Sequence, residues 1–437
     1  MSDKPTRDGG SMTIEVAIVG AGVGGLCLAQ GLHKAGVRVT VYERDRTSAN
    51  RLQGYRLHIN PLGAQALREC LTPELWQAFL STTGKGGLDF VFVTEQLKPL
   101  IKLEADRRDA NWRDHHSVSR ITLRQILLTG LDQVVRFGKT FERYERASDG
   151  RIVLHFGDGS TAAADVLVAA DGSGSRVRQQ YLPEAERIDT GITRVAGKFP
   201  LSEETKRQVP AQLYEGLTNV VPARGYSMFC APHDFGGDPV VLPGGIGATE
   251  RDGAMHDNTS SYVLWAFGAE TRNFPEGAAE LSGAEIRELV LGMAGDWHPD
   301  LLRMIRMTDP DTVSLLPIRS AVPAEPWQAT NITLLGDAIH TMAPHLGLGA
   351  NTALRDARLL CQELSAAAGG RKEVVAAVGD YERQMSEYGF AAVRDSLRTA
   401  RRFVTRSPLA RRGFRAFLRT AQRVPMLKER AFGAGAA

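Results

Sequence analysis

An apolar run, Ile14-Glu15-Val16-Ala17-Ile18-Val19, breaks into Gly20-Ala21-Gly22-Val23-Gly24-Gly25 and continues as an Ala/Leu-rich stretch to about Lys34. The run reads as a buried strand, the glycines as a tight turn, and the stretch beyond them as a helix. A second strand, Val37 to Tyr42, ends at Glu43 with Arg44 beside it. That order admits few folds, all containing a parallel strand–helix–strand unit that receives a phosphate-bearing ligand at its first turn. Gly20 permits the turn, Gly22 lets backbone approach a pyrophosphate, and Gly25 lets helix and strand pack closely. The helix N-terminus offers free N–H groups and partial positive charge to the phosphates. Glu43, 18 residues beyond Gly25, is placed to accept hydrogen bonds from a ribose. By itself this segment does not separate FAD from NAD.

Two later segments repeat the pattern of buried strand, acidic turn and helix start. Asp165 to Ala170 runs into Asp171-Gly172-Ser173-Gly174-Ser175-Arg176-Val177-Arg178. Alone, Asp-Gly after a strand is as readily an ordinary turn. Leu334-Leu335-Gly336-Asp337 leads through a Pro/Gly-rich loop, Pro344 to Gly349, to a helix start near Gly349-Ala350-Asn351. In this order the three segments resemble the fingerprints of single-component FAD-dependent aromatic monooxygenases of the p-hydroxybenzoate and salicylate hydroxylase type. The resemblance covers about residues 13–400.

The resemblance implies an α/β fold: a Rossmann-like FAD-binding domain carrying the GxGxxG, DG and GD motifs, an inserted, mainly β substrate domain, and C-terminal helices. The expected boundaries are a lead-in at 1–12, a discontinuous FAD-binding domain at 13–80, 117–190 and 285–400, substrate-domain segments at 81–116 and 191–284, and a basic helical segment at 401–437. Asp171, Gly172, Ser175 and Arg178 match the DG motif, which in the family lies between FAD and the approach of the nicotinamide. Asp337 matches the aspartate that hydrogen-bonds the ribityl and pyrophosphate side of FAD. The loop Pro344 to Gly349 would run along the isoalloxazine. The helix opening at Gly349 and Ala350 would aim its positive end at the flavin N1–C2=O edge, where reduced flavin carries negative charge. Arg120, at a helix start resembling the family's Arg-x-x-Leu, is the arginine expected to reach FAD, against the alternative of an ordinary surface arginine. Residues 51–61 depart from the family's flavin-side loop with Tyr55 and Arg56.

The implied activity is that of a monooxygenase. NADH or NADPH, binding transiently, reduces non-covalently held FAD, O2 gives a flavin C4a-hydroperoxide, and an aromatic or polycyclic small molecule is hydroxylated. The flavin carries this chemistry, and no catalytic side chain is assigned. Other oxygenations on the same fold, a flavin-dependent reductase, and a nicotinamide-binding redox sensor are the alternatives.

Period-two alternation marks strands at Leu88 to Val93, Gly191 to Phe199, Tyr226 to Cys230, Pro239 to Leu242 and Ser261 to Phe267. Tyr226, Met228 and Cys230 share one face, and Val263, Trp265 and Phe267 another. Such faces serve either as sheet core or as the roof of an aromatic pocket. Tyr226, Met228 and Trp265 are the pocket candidates. The strand Thr312 to Arg319 is expected to return to the FAD-binding domain.

A net charge of +3 argues against nucleic acid as the main partner. The absence of an apolar run of eighteen residues argues against a transmembrane segment. Four dispersed cysteines without a CxxC pair suit a reducing cytoplasm. His340 and His345 lack a third ligand at metal spacing, so no metal is expected, and His340 reads as a packed loop residue. From Arg394 to Arg430, twelve Lys/Arg stand against Asp395 and Glu429. This reads as a solvated helix face, with an acidic partner or membrane surface as the alternative. Its apolar positions Leu409, Phe414, Phe417 and Leu418 suggest docking on the FAD-binding domain. Oligomeric state is not legible.

Overall fold

The computed structural model describes residues 14–47, 56–84, 89–104, 114–223, 225–235 and 260–432. The expected lead-in at 1–12, the strand Pro239 to Leu242, and Tyr55 with the loop residues before it lie outside the described residues.

The first layer is a parallel sheet in the order β17 (Ile332–Leu334), β11 (Val166–Ala169), β1 (Glu15–Val19), β2 (Arg38–Tyr42), β7 (Val135–Arg136). β11 and β17 are buried along their whole length, as continuous apolar strands covered on both faces should be. α1 (Val23–Lys34) packs on α10 (Leu348–Ala368), which in turn packs on α2 (Pro61–Cys70) and α11 (Val374–Val404). α4 (Arg120–Leu128) lies against α1 and carries α3 (Pro73–Ser81). The antiparallel ribbon β8 (Phe141–Arg146), β9 (Ile152–Phe156), β10 (Thr161–Ala164) feeds β11, and α5 (Arg176–Tyr181) follows it. β3 (Arg56–Ile59) pairs antiparallel with β6 (His116–Ser119).

The second layer is a seven-stranded sheet in the order β16 (Ser314–Ala321), β12 (Arg187–Pro200), β15 (Tyr262–Glu270), β14 (Tyr226–His233), β13 (Leu217–Val220), β4 (Phe90–Val93), β5 (Pro99–Leu103). Short α6 (Glu203–Lys206) follows β12. One face of the sheet buries Val195, Phe199, Met228, Trp265 and Phe267 against Ile286 and Val290 of α7 (Gly283–Met293) and Leu301 and Met304 of α8 (Pro299–Arg306).

Two expectations are corrected here. The strand at 314–321 does not return to the first sheet: it pairs antiparallel with β12 along eight residues of register, and α7 and α8 belong to the same apolar cluster as this sheet. The boundary drawn at 285 therefore falls inside the second layer. An apolar alternating strand states its own two faces but not its partner.

The basic C-terminal segment also docks elsewhere than expected. In α12 (Pro408–Arg423), Leu418 and Ala421 are buried against Phe92, Leu100 and Ile101 of β4 and β5, with Leu427 and Phe432 of α13 (Pro425–Phe432) beside them. Nor are all its cations solvated. Arg411 is buried, and its Nη1 and Nε donate to the Pro222 and Thr405 carbonyls at 2.7 Å each. Arg415 donates to the Val221 carbonyl (Nε, 2.9 Å) and pairs with Glu95. The guanidiniums satisfy strand-end carbonyls that an apolar helix would have left without donors.

Candidate active site

β1, β11 and β17 are parallel neighbours, so the turns after them converge at the carboxyl edge of the sheet, where open α/β sheets bind ligands. In the first turn Gly20 has φ +108°, and a Cβ there would lie 2.3 Å from the Ala170 carbonyl oxygen. A Cβ on Gly25 would lie 2.3 Å from the Gly20 carbonyl oxygen. A Cβ on Gly22 would meet nothing within 4 Å, and Gly22 lines an open cavity. The protein's own backbone thus demands two of these glycines, while the third faces open space. α1 starts at Gly22 with no side-chain cap and no acid in its first turn, which leaves its N–H groups and positive end free for an anionic ligand.

Glu43 occupies a tighter place than an open ribose contact. It is 8% exposed, with Oε2 accepting the Ala21 N–H at 2.7 Å and Oε1 accepting the Asp45 N–H at 3.0 Å. It braces the glycine turn from behind. Neither Glu43 nor exposed Arg44 lines the cavity.

At the second turn Ala170 and Gly172 line the cavity on either side of Asp171. Asp171 Oδ2 accepts the Arg176 N–H at 2.9 Å, while Oδ1 is buried without a partner. Burial raises the carboxyl pKa above its ordinary range. Ser175 caps α5, accepting the Arg178 N–H at 2.9 Å. The buried Arg178 guanidinium donates to the Ser173 and Ala338 carbonyls at 3.1 and 2.8 Å, tying this turn to the third.

The third turn carries Gly336 (φ +64°) and then Asp337, the exposed first residue of α9 (Asp337–His340), which lines the cavity. Gly347, also left-handed, opens α10 with neither a side-chain cap nor an acid in the first turn. Leu348, Gly349 and Ala350 face the cavity, and a Cβ on Gly349 would lie 4.0 Å from Asp337 Oδ1. Behind this turn His340 and Asp356 are fully buried, with Nε2 and Oδ2 2.6 Å apart. Asp356 also accepts the Gly336 N–H (2.8 Å) and the Tyr388 hydroxyl (2.7 Å). Burial opposes protonation of His340, but the charge and hydrogen bond of Asp356 outweigh it and its pKa is raised. His340 is thus a structural strut and does not line the cavity.

Two residues given no role in the sequence reading matter here. Asn351 is 3% exposed; its Oδ1 accepts the Asn60 N–H at 2.9 Å, and its Nδ2 donates to the His58 and Gly347 carbonyls at 2.8 and 3.0 Å. It locks the start of α10 to β3 and α2. Arg124 Nε donates to the Ala21 carbonyl at 3.3 Å, so it is this arginine of α4 that reaches the glycine turn, while Arg120, exposed, stands in the cavity wall. An amide at a helix start was visible in the sequence, but its partners lie about 290 residues away.

Between these turns and the second sheet the cavity measures about 1900 Å³, beyond the roughly 300–1,000 Å³ of a pocket for one small ligand. Its roof is the sheet face presenting Phe90, Phe92, Leu217, Phe229, Leu264 and Ala266. The pocket candidates point the other way. Met228 and Trp265 are buried in the core beneath α7 and α8, the indole N–H donating to Thr308 Oγ1 at 2.8 Å. Tyr226 packs against Phe267 on that same side. Met228 and Cys230 sit opposite Phe267 and Trp265 in register, so the two faces read separately from sequence are one face. Both faces of this sheet are apolar, one because helices cover it and one because a cavity adjoins it, and alternation cannot rank them. The C-terminal helices line the same cavity with Arg402, Phe403, Phe414, Lys428 and Phe432.

The residues present fit an FAD: two uncapped helix starts at one cavity, backbone at Gly22 that a ligand can approach, a carboxylate beside the second helix start, and a buried carboxylate oxygen without a partner among the described residues. Among the described residues, no group of three or more His, Cys, Asp or Glu could hold a metal ion, and no helix is long and apolar enough to cross a membrane.

Comparison with known proteins agrees. The family described as FAD binding domain matches residues 13–189 and 261–396. The chain belongs to that family, that of the p-hydroxybenzoate/salicylate hydroxylase-type flavoproteins, and its cofactor is FAD. It is 32% identical over 396 residues to a dual O-methyltransferase/FAD-dependent monooxygenase of Phaeosphaeria nodorum, covering 84% of this chain but 42% of that protein. It thus spans less than half the length of that relative. To the 6-hydroxynicotinate 3-monooxygenase of Pseudomonas fluorescens it is 27% identical over 389 residues, covering 86% of this chain and 89% of that one. A structure solved for a candidate FAD-containing monooxygenase of Photorhabdus luminescens subsp. laumondii superposes with a TM-score of 0.78 at 37% identity, covering 90% and 98% of the two chains.

Proposed function

We propose that this chain is an FAD-dependent monooxygenase that uses NADH or NADPH and O2 to hydroxylate an aromatic or polycyclic small molecule. The observation that carries the reading is the continuity of a single cavity, which runs from the glycine turn and the uncapped helix starts to an apolar sheet face. A cofactor site and an aromatic-lined chamber share one space.

Bound FAD supplies the redox and oxygen-activating chemistry. The protein's part is to bind, orient and exclude water. The α1 start and the backbone at Gly22 receive the pyrophosphate. Asp337 accepts hydrogen bonds from the sugar-chain hydroxyls. The α10 start would offer its free N–H groups and positive potential to the ring system of the cofactor. Phe90, Phe92 and Phe229 hold an aromatic substrate by stacking at little entropic cost, and Phe403, Phe414 and Phe432 line the same cavity. Exclusion of water keeps reducing equivalents on the path to product. The relatives named as monooxygenases support the class of reaction, and the 6-hydroxynicotinate enzyme supports a small aromatic substrate.

The test is NAD(P)H oxidation and O2 uptake by the purified holoprotein against a panel of phenols, hydroxy-pyridines and polycyclic phenols. The reading expects at least one compound to accelerate NAD(P)H oxidation and to appear as a product one oxygen heavier. Electron transfer to substrate with no O2 consumed would identify a reductase instead.

A further inference from the structure

We infer that Arg194 is the anion-recognition residue of the substrate chamber, so that the substrate is held through an ionised oxygen: a phenolate, an enolate or a carboxylate on the aromatic molecule. The inference rests on the reading of the cavity as a substrate site.

Arg194 sits in the middle of β12, opposite Gly268 of β15 and Leu316 of β16. Its neighbour Val195 points into the core beneath α7 and α8, so Arg194 and Ala196 point to the other side, and both line the cavity. The arginine stem runs past Gly268, where a Cβ would lie at ordinary contact, 3.7 Å from Arg194 Cγ. The surroundings on this side are apolar, with Ile192, Ile318, Ala343, Ala400 and Val404 forming one buried cluster.

Among the described residues no carboxylate answers this guanidinium. Among the described residues Arg194 has no ion pair or hydrogen bond, and its Nε is buried without a partner. Burial pulls its pKa down to about 10. The buried arginines Arg178 and Arg411 are satisfied by the protein itself, by two carbonyls and by three. Arg194 is half-buried, its Nε enclosed without a partner and the residue open to the cavity, and a cation so largely desolvated is costly to keep for packing alone. A guanidinium that opens onto a cavity and lacks a protein acceptor is arranged for an acceptor that arrives.

One neighbour sharpens the picture. His345, in the loop before α10, lies near enough that the Arg194 charge adds to burial in holding its imidazole neutral, at a pKa of about 2. Arg194 is therefore the cation of this pair, and the neutral His345, which also lines the cavity, has one ring N–H to donate beside it. Arg402 and Lys428 also line the cavity, as do Asp89, Glu104 and Glu429.

The experiment uses the FAD-loaded full chain and two probes of nearly the same shape, 4-nitrophenol and its methyl ether 4-nitroanisole. Binding is measured by equilibrium dialysis at a mildly alkaline pH where the phenol is ionised. A desolvated charge-assisted contact corresponds to about a tenfold or larger preference for the phenolate. R194Q should reduce that preference to about twofold or less while keeping wild-type FAD content and melting temperature. R194K, which keeps the charge but not the fork, should recover part of it.

Three results would overturn the inference: a wild type without phenolate preference, including one that retains neither probe; an R194Q protein that keeps the preference; or an R194Q protein that loses FAD, which would assign the guanidinium to the cofactor. Product formation from NAD(P)H and O2 is scored separately. A phenolate preference without oxygenated product leaves Arg194 standing and removes the monooxygenase reading, and the reverse pattern does the opposite.

Discussion

Met228 and Phe229 are adjacent on β14 and face opposite ways, which makes them a matched pair for testing the orientation of the second sheet. Met228 is 1% exposed in the core beneath α7 and α8. Truncating such a residue to Ala removes buried methylenes and leaves a cavity, at about 2–5 kcal/mol. Melting temperature falls by about 2–4 °C per kcal/mol in domains of roughly 150–250 residues and by less in a longer chain, so Met228→Ala should melt several degrees lower. Its substrate KM should stay near wild type. Phe229 lines the cavity, its ring stacked on Phe90 with centroids 6.2 Å apart. Phe229→Ala loses that pair, about 0.5–1.5 kcal/mol, and a similar amount of stacking on an aromatic substrate, which is roughly two- to tenfold in KM. It should also leak more peroxide per NAD(P)H consumed, because a loosened wall admits water and misplaces the ring. Thermal melts followed by flavin fluorescence, together with KM and peroxide assays on both variants, decide the matter. A Met228→Ala protein with raised KM and unchanged melting, beside a Phe229→Ala protein that merely melts early, would refute the orientation.

Asp337→Ala should lower FAD occupancy while leaving the apoprotein's melting point near wild type, since Asp337 is exposed to the cavity. Glu43→Ala should instead lower the apoprotein's melting point, because it deprives the buried Ala21 N–H of its acceptor; flavin titration and melts of the two apoproteins check this. The raised pKa of His340 means the folded state binds its proton more tightly than the unfolded state. The stability this pair contributes is complete below about pH 6.5 and is lost as pH rises through the folded value. A melting-temperature profile across neutral pH should show that decline in wild type and lose it in His340→Gln; identical profiles would contradict the pairing. Truncation at Ser407 removes the cover from Phe92, Leu100 and Ile101 together with part of the cavity lining, so FAD should be retained while substrate-stimulated NAD(P)H oxidation falls and solubility drops. Unchanged turnover would show the segment to be dispensable.

What could be read in the sequence was what is encoded within a few residues of itself. The strand, Gly20–Gly25 turn and helix, and the turn at Asp171-Gly172 with a helix after it are all local, and they stand where the pattern placed them; the helix expected to open at Gly349 opens one residue earlier, at Leu348. Long-range choices were not legible. Alternation on β14 and β15 shows two faces without saying which one a helix covers, so Tyr226, Met228 and Trp265 were assigned to the pocket when Phe229, Leu264 and Ala266 line it. The strand at 314–321 and the helices after 283 were counted with the first layer because β-pairing partners lie more than a hundred residues apart. Arg411 and Arg415 looked like solvated charge because nothing near them in sequence reveals that strand-end carbonyls await them. Arg194 passed unremarked for the same reason: one cation in a strand becomes conspicuous only when no acid is found around it.

The central claim, that the three converging turns form one FAD site, is tested most directly by the flavin itself. The purified chain should be yellow, and acid precipitation should release close to one equivalent of flavin per chain into the supernatant, identified by chromatography as FAD. Flavin remaining in the pellet, release of FMN, or a colourless chain that takes up no added FAD would contradict the account.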